Sequence, residues 1–220
     1  MAPAPGPLTV EEAQAFSGPQ GSLSGTDVAS GGSWVAIGQP EDGTVVLSQR
    51  PSNGAFVERA TLSSPAGSTT EYGTSVDFTG VVDGNPYLIV GAPRVPLGSS
   101  TFRGGAAYFY AYDTSQQSWM FQGNAIQGGL TIDNLEEAFG TSVAASDNQR
   151  VVVGAPMYGE ENFGRVYTFE WDGTFWNPMS TTPLLGTEDS LFGSAVDITA
   201  DGSTIAAGQP ADSTFLIYVS

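Results

Sequence analysis

The sequence predicts an all-β fold built as an array of four repeats, and three observations predict it. The cluster Gly-Ala/Gln-Pro occurs four times, at Gly38-Gln39-Pro40, Gly91-Ala92-Pro93, Gly154-Ala155-Pro156 and Gly208-Gln209-Pro210, spaced 53, 63 and 54 residues apart. Upstream of each lies a second signature: Ser24-Gly25-Thr26-Asp27-Val28, Tyr72-Gly73-Thr74-Ser75-Val76, Phe139-Gly140-Thr141-Ser142-Val143 and Phe192-Gly193-Ser194-Ala195-Val196. No segment carries a helical period; short apolar runs are bounded by Gly, Pro, Asp and Asn. Self-similarity at a near-fixed period sets the whole architecture.

The elements of one repeat follow from the third copy. Thr141 to Ala145 reads as a short strand, and Ser146-Asp147-Asn148-Gln149 supplies turn residues. Val151-Val152-Val153 is a β-branched run suited to a strand buried on both faces. Gly154-Ala155-Pro156 ends it, because glycine allows close backbone approach and proline cannot donate to a continuing ladder. Arg165 to Trp171 is the third strand, Asp172-Gly173 a hairpin turn and Thr174 to Asn177 the return strand. The first copy repeats the plan with Trp34 to Ile37, Thr44 to Leu47, an Asn53-Gly54 turn and Ala55 to Val57. The second has Tyr87 to Val90, Ala106 to Tyr110 and Ser118 to Phe121. The fourth has Thr204 to Ala207 and Phe215 to Val219, one strand short.

The missing strand is expected at the other end. Residues 17–25 align with 185–193, with Gly, Ser, Leu and Gly in register, so residues 8–17 are expected to close the C-terminal blade. Four blades of four antiparallel strands around an axis make a β-propeller, and each blade depends on its neighbours for burial. One domain is expected over residues 1–220, with repeats at about 18–61, 62–122, 123–180 and 181–220 plus the closing strand 8–17. A self-closed ring predicts a monomer; the alternative is an open arc that completes a larger ring as a dimer.

Composition removes many functions. The 220 residues contain no cysteine and no histidine, and all six basic residues are arginine. Thiol chemistry, His-based triads, His-ligated metals and Schiff-base lysine are therefore excluded. A formal charge of -17 repels a phosphate backbone, so no nucleic-acid partner is expected. No apolar run reaches the ~18 residues of a membrane span, so no membrane insertion is expected.

The signatures resemble the FG-GAP repeat, most fully in Phe139-Gly140-Thr141-Ser142-Val143, Val151-Val152-Val153-Gly154-Ala155-Pro156 and Gly164-Arg165-Val166-Tyr167-Thr168-Phe169. The second repeat has Tyr72 in the aromatic slot; the first has Ser24 there, and the first and fourth carry Gln39 and Gln209 for alanine. That family builds the propeller head of integrin α subunits and similar domains of secreted and surface proteins. The resemblance implies an extracellular, cell-surface or lumenal location. It also implies calcium loops of the Asp-x-Asp-x-Asp-Gly kind, and here the sequence departs. Calcium needs six to eight oxygens, and only the second loop, Asp77 to Asn85, has even two aspartates. No metal and no cofactor are expected.

The candidate sites are surface features. Arg94 and Arg103, with Phe102, lie on one long insertion, an arginine–aromatic composition suited to partner binding. Trp171 and Trp176 flank the Asp172-Gly173 turn and suit either sugar stacking or packing between blades. The carboxylate pairs Glu136-Glu137, Glu160-Glu161 and Glu188-Asp189 read as solvated loop charge, since glycosidases need two carboxyls facing across a bond. The expected function is a non-catalytic interaction, adhesion or scaffolding module with a protein or glycan partner, and not an enzyme. A carbohydrate-binding lectin is the alternative, and a polysaccharide-acting enzyme the third reading.

Overall fold

A computed structural model describes residues 15, 17–18, 20–21, 23–52, 54–82, 85–96, 103–122, 125–128 and 136–219. The fold is all-β, with four antiparallel sheets in chain order. The first is β1 (Val28–Gly31), β2 (Trp34–Gln39), β3 (Thr44–Gln49) and β4 (Val57–Ser63). The second is β5 (Ser75–Val82), β6 (Asn85–Ala92), β7 (Ala106–Asp113) and β8 (Ser118–Phe121), with β9 (Ile126–Gln127) also paired to β7. The third is β10 (Ser142–Ala145), β11 (Arg150–Ala155), β12 (Arg165–Trp171) and β13 (Trp176–Pro178), with β14 (Leu184–Leu185) also on β12. The fourth is β15 (Val196–Ile198), β16 (Thr204–Gln209) and β17 (Thr214–Val219). Two short 3-10 turns, Ser68–Thr70 and Pro210–Asp212, are the helical elements among the described residues.

Both signatures act through backbone. The first-signature glycines Gly25, Gly73, Gly140 and Gly193 have φ of 83, 92, 91 and 87°, open to glycine and strained for other residues. Their N–H groups donate to the Gly38, Gly91, Gly154 and Gly208 carbonyls of the same repeat at 3.0, 3.0, 3.0 and 2.9 Å. The residue two places earlier (Leu23, Glu71, Ala138, Leu191) is also left-handed. Its carbonyl accepts the hydroxyl of Thr26, Thr74, Thr141 or Ser194 at 2.7 Å in every copy. The signature threonine or serine thus holds the strained turn.

Adjacent sheets meet at seams that leave no room for a side chain. A Cβ on Gly38, Gly91 or Gly154 would sit 2.0, 2.1 or 2.0 Å from the carbonyl oxygen of Gly73, Gly140 or Gly193 in the next repeat. Hydroxyls and carboxylates reinforce the approach. Ser75 Oγ donates to the Gly140 carbonyl at 3.0 Å, and Ser142 Oγ to that of Gly193 at 2.8 Å. Asp27 and Asp77 each accept an N–H from the following sheet, of Val76 and Ala145, at 2.8 Å.

Three buried clusters fill the seams. Trp34, Val45 and Leu47 pack on Val76, Phe78 and Tyr108 between the first and second sheets. Ile89 and Phe109 meet Val143, Val151 and Phe169 between the second and third, and Val152 and Val166 meet Ile198 and Ala207 between the third and fourth. The signature aromatics Tyr72, Phe139 and Phe192 are fully buried. No cluster joins the fourth sheet to the first. The expectation of a ring closed within the chain is therefore not met among the described residues. The proposed closing strand 8–17 lies outside them save residues 15 and 17, neither of which is in a strand.

Asp77 is ionised at a cost. Burial pushes its carboxyl up from 3.8 to about 6, opposed by the Ala145 and Phe78 N–H groups, while Asp197 and Asp27 add repulsion. The folded chain thus holds this proton more tightly than the unfolded one. The resulting stabilisation is fully present below about pH 4 and is lost as pH rises through about 6. The difference corresponds to about 3 kcal/mol. Denaturant titrations should find Asp77→Asn gaining roughly that amount relative to wild type between pH 4 and pH 7; a constant difference would refute the assignment. The seams give a second prediction. Gly154→Ala should lose about 3 kcal/mol through overpacking. Gly208→Ala, whose Cβ would have Ala195 atoms at 3.7 to 3.9 Å as its nearest neighbours, should change the stability of the isolated chain by less than about 0.5 kcal/mol.

Candidate functional site

A cleft of about 680 Å³ opens at the outer edge of the third sheet, where Ile205 and Tyr218 of the fourth sheet also line it. Its origin is a gap in the pairing of β12. β13 pairs there through Phe169↔Pro178, extended by the Met179 N–H donating to the Thr168 carbonyl at 2.9 Å, and β14 through Val166↔Leu184, so the connecting residues 180–183 stand away from the strand. The cleft has apolar walls of Phe139, Phe169 and Leu184, with Tyr167, Thr168 and Gln127 as polar points. A second hollow of about 390 Å³ shares Ile126, Phe169 and Pro178 with it and is lined by Trp171, Phe175 and Trp176. Apolar walls with a few convergent polar groups are the usual makeup of a ligand site.

Tyr167 is the polar centre of the main cleft. Its hydroxyl donates to Glu137 Oε2 at 3.1 Å. Burial pushes the Tyr167 phenol well above its ordinary range; the Glu137 charge adds to this and Arg165 opposes it. Arg165 lies one turn of the strand pleat away, its guanidinium carbon 3.3 Å above the Tyr158 ring, a cation–π arrangement. Its Nε is buried with no hydrogen-bond partner among the described residues.

Glu137 and Arg165 belong to the third repeat alone. The position two before the signature aromatic holds Thr70, Glu137 and Ser190 in repeats two to four, all fully buried. Thr70 and Ser190 answer burial with hydroxyl bonds to the Gly67 and Phe163 carbonyls, at 2.9 and 2.8 Å. A carboxylate replaces that hydroxyl only in repeat three. Likewise Arg165, opposite Ala155, stands where Thr44, Ala106 and Thr214 stand opposite Gln39, Ala92 and Gln209. Solvated charge is expected at both Glu136 and Glu137; Glu136 is exposed, but Glu137 is buried. Aligning the repeats at that position is the signal that separates them.

The other candidates are scattered. Arg94 forms an ion pair with Glu71 at 2.8 Å on the surface. Arg103 is half-buried in a bridge to Pro96, and Phe102 lies outside the described residues. Trp176 stacks on Phe109 of the second sheet at 4.3 Å and is 5.4 Å from Trp171, so it both packs between sheets and lines the second hollow. Trp34 and Trp119 are buried. Among the described residues no group of three His, Cys, Asp or Glu is arranged to hold a metal ion, and no helix is long and apolar enough to cross a membrane.

No family model matches the chain. It is similar over part of its length to integrin α chains. The human integrin alpha-6 is 36% identical over 100 residues, 40% of this chain and 9% of that protein. The rat integrin alpha-7 is 32% identical over 103 residues, 41% of this chain and 9% of that protein. The chain thus matches about a tenth of the length of these relatives. Among solved structures, a thermostable family-43 glycoside hydrolase is similar over 79% of this chain and 60% of its own, with 14% identity and a TM-score of 0.42. The expectation of a non-catalytic adhesion or scaffolding module, and not an enzyme, is corrected by this match to a catalytic protein. The likeness is too slight to carry a substrate or a mechanism across.

Proposed function

We propose that the chain is an enzyme acting on a carbohydrate, on a scaffold of FG-GAP-type repeats, with the substrate lying across the two hollows beside the third sheet. The observation that carries this reading is the Tyr167 hydroxyl, set in the wall of the main cleft and tied to the buried Glu137 carboxylate. Aromatic and apolar walls suit the C–H faces of sugar rings, and Trp171, Phe175 and Trp176 extend that surface into the second hollow. Gln127, Thr168, Ser180 and Thr182 offer partners for hydroxyl groups.

The chemistry is a proton relay. Because Tyr167 donates to Glu137, its oxygen is left as an acceptor towards the cleft. A water bound there passes a proton to Tyr167 as the phenolic proton moves to Glu137. The activated oxygen attacks the anomeric carbon, and the bond from that carbon to the leaving oxygen breaks. The leaving oxygen takes its proton from solvent on the opposite face, and the proton held on Glu137 returns to solvent through Tyr167, completing hydrolysis. The raised pKa of Tyr167 keeps the phenol protonated at rest, as a conduit requires. Arg165 limits the charge that builds on the tyrosine oxygen during transfer. An extracellular location fits a polysaccharide substrate.

Release of oligosaccharides from a panel of neutral polysaccharides tests the proposal. Tyr167→Phe and Glu137→Gln should each lower kcat by about 10²-fold or more. Trp171→Ala should raise KM with little change in kcat. Binding without turnover, or full turnover by Tyr167→Phe, would refute it.

A further inference from the structure

The free faces of the first and fourth sheets correspond, residue for residue, to the two halves of the seams that join the other sheets. Phe215 on β17 occupies the position of Val45, Ala107 and Val166, each paired opposite a signature glycine. Those three are fully buried against the following sheet, whereas Phe215 is 69% exposed. Ile217 occupies the position of the buried Leu47 and Phe109, yet is 60% exposed. On the first sheet, Val28 occupies the position of Val76 and Val143, which are buried against the preceding sheet; Val28 is 60% exposed.

The backbone halves are unmatched in the same way. Gly38, Gly91 and Gly154 each abut the signature glycine of the next repeat, while Gly208 has nothing closer than Ala195 at 3.7 Å. A Cβ on Gly25 would meet nothing within 4 Å, whereas on Gly73, Gly140 or Gly193 it would meet backbone within 2.5 to 2.7 Å. Asp197 stands where Asp77 stands. One Asp197 oxygen accepts its neighbour Ile198 N–H, as Asp77 accepts that of Phe78. In the complete seam the other Asp77 oxygen takes Ala145 N–H, and the residue equivalent to Ala145 in the first repeat is the exposed Ser30. Ala195 replaces Ser75 and Ser142, so this seam would form without their hydroxyl bridge.

We propose that a second copy of this chain completes the seam: the β17 face of each copy packs on the first sheet of the other, giving a two-fold dimer with both junctions satisfied. Each free half is complementary to the other and not to itself, so the contact is head-to-tail, and a two-fold arrangement closes it without leaving an end. The Phe215 position at its centre is one that a repeat seam already buries three times over, and the Ile217 and Val28 positions are each buried twice.

Light scattering on the eluting wild-type chain at micromolar concentration should give twice the 22.8 kDa chain mass. Gly208→Val should return the monomer mass with unchanged circular dichroism and a melting temperature that no longer rises with protein concentration, because the new side chain has room in its own chain and none against the Gly25 carbonyl of a partner copy. The chain has no cysteine, so Ser30→Cys combined with Asp197→Cys gives a clean crosslink, expected as a covalent dimer on oxidation. A monomeric wild type, a dimer that survives Gly208→Val, or a crosslink formed only within one chain would each overturn the proposal.

Discussion

The close approach of a glycine to a carbonyl between neighbouring sheets is the constraint from which the rest of this molecule follows. A Cβ at those glycines would lie about 2 Å from backbone oxygen, well inside any van der Waals contact, so the sheets stand as near as backbone allows. That proximity brings β-branched and aromatic residues of facing sheets into dry contact at Val45, Ile89 and Val152. It also explains the left-handed turn before each inner strand: the chain must double back tightly to present the glycine carbonyl to its neighbour. The threonine and serine hydroxyls that cap this turn are repeated four times with the same 2.7 Å bond.

Most of the fold was legible because its determinants are local. The apolar runs became β2, β6, β11 and β16, and Asp172 does make the hairpin turn, accepting the Thr174 and Phe175 N–H groups at 2.8 Å. The positive φ of Leu23, Glu71, Ala138 and Leu191 was not legible, since these residues carry no sign of a left-handed backbone; only the repeated geometry imposes it. The expectation of ring closure rests on a register match between residues 17–25 and 185–193. A register fixes equivalence between repeats and says nothing about whether the first and last sheets touch. The site was legible in part. Trp171 and Trp176 were singled out, but Glu137 was hidden by its neighbour Glu136, because adjacent carboxylates look alike until burial separates them.

The candidate site shows how a symmetric scaffold acquires a particular chemistry. Three repeats bury a polar residue at the same turn, and two of them satisfy it with a hydroxyl. Repeat three substitutes a carboxylate, adds an arginine on the facing strand and leaves a tyrosine between them at the mouth of a cleft. None of these changes touches the glycines that hold the sheets together, so the departure costs the architecture little.

The distribution of seams also makes the single chain unequal along its length. Among the described residues the second and third sheets are each clamped on both faces, whereas the first and fourth are clamped on one. In an array held by nearest-neighbour contacts, opening is governed by how many neighbours an element must leave. In the dissociated chain, amide hydrogens of β6 and β11 therefore exchange only when the array as a whole opens, while those of β3 and β17 exchange by local detachment of a terminal sheet. Such an array is cooperative at its centre and frays at its ends.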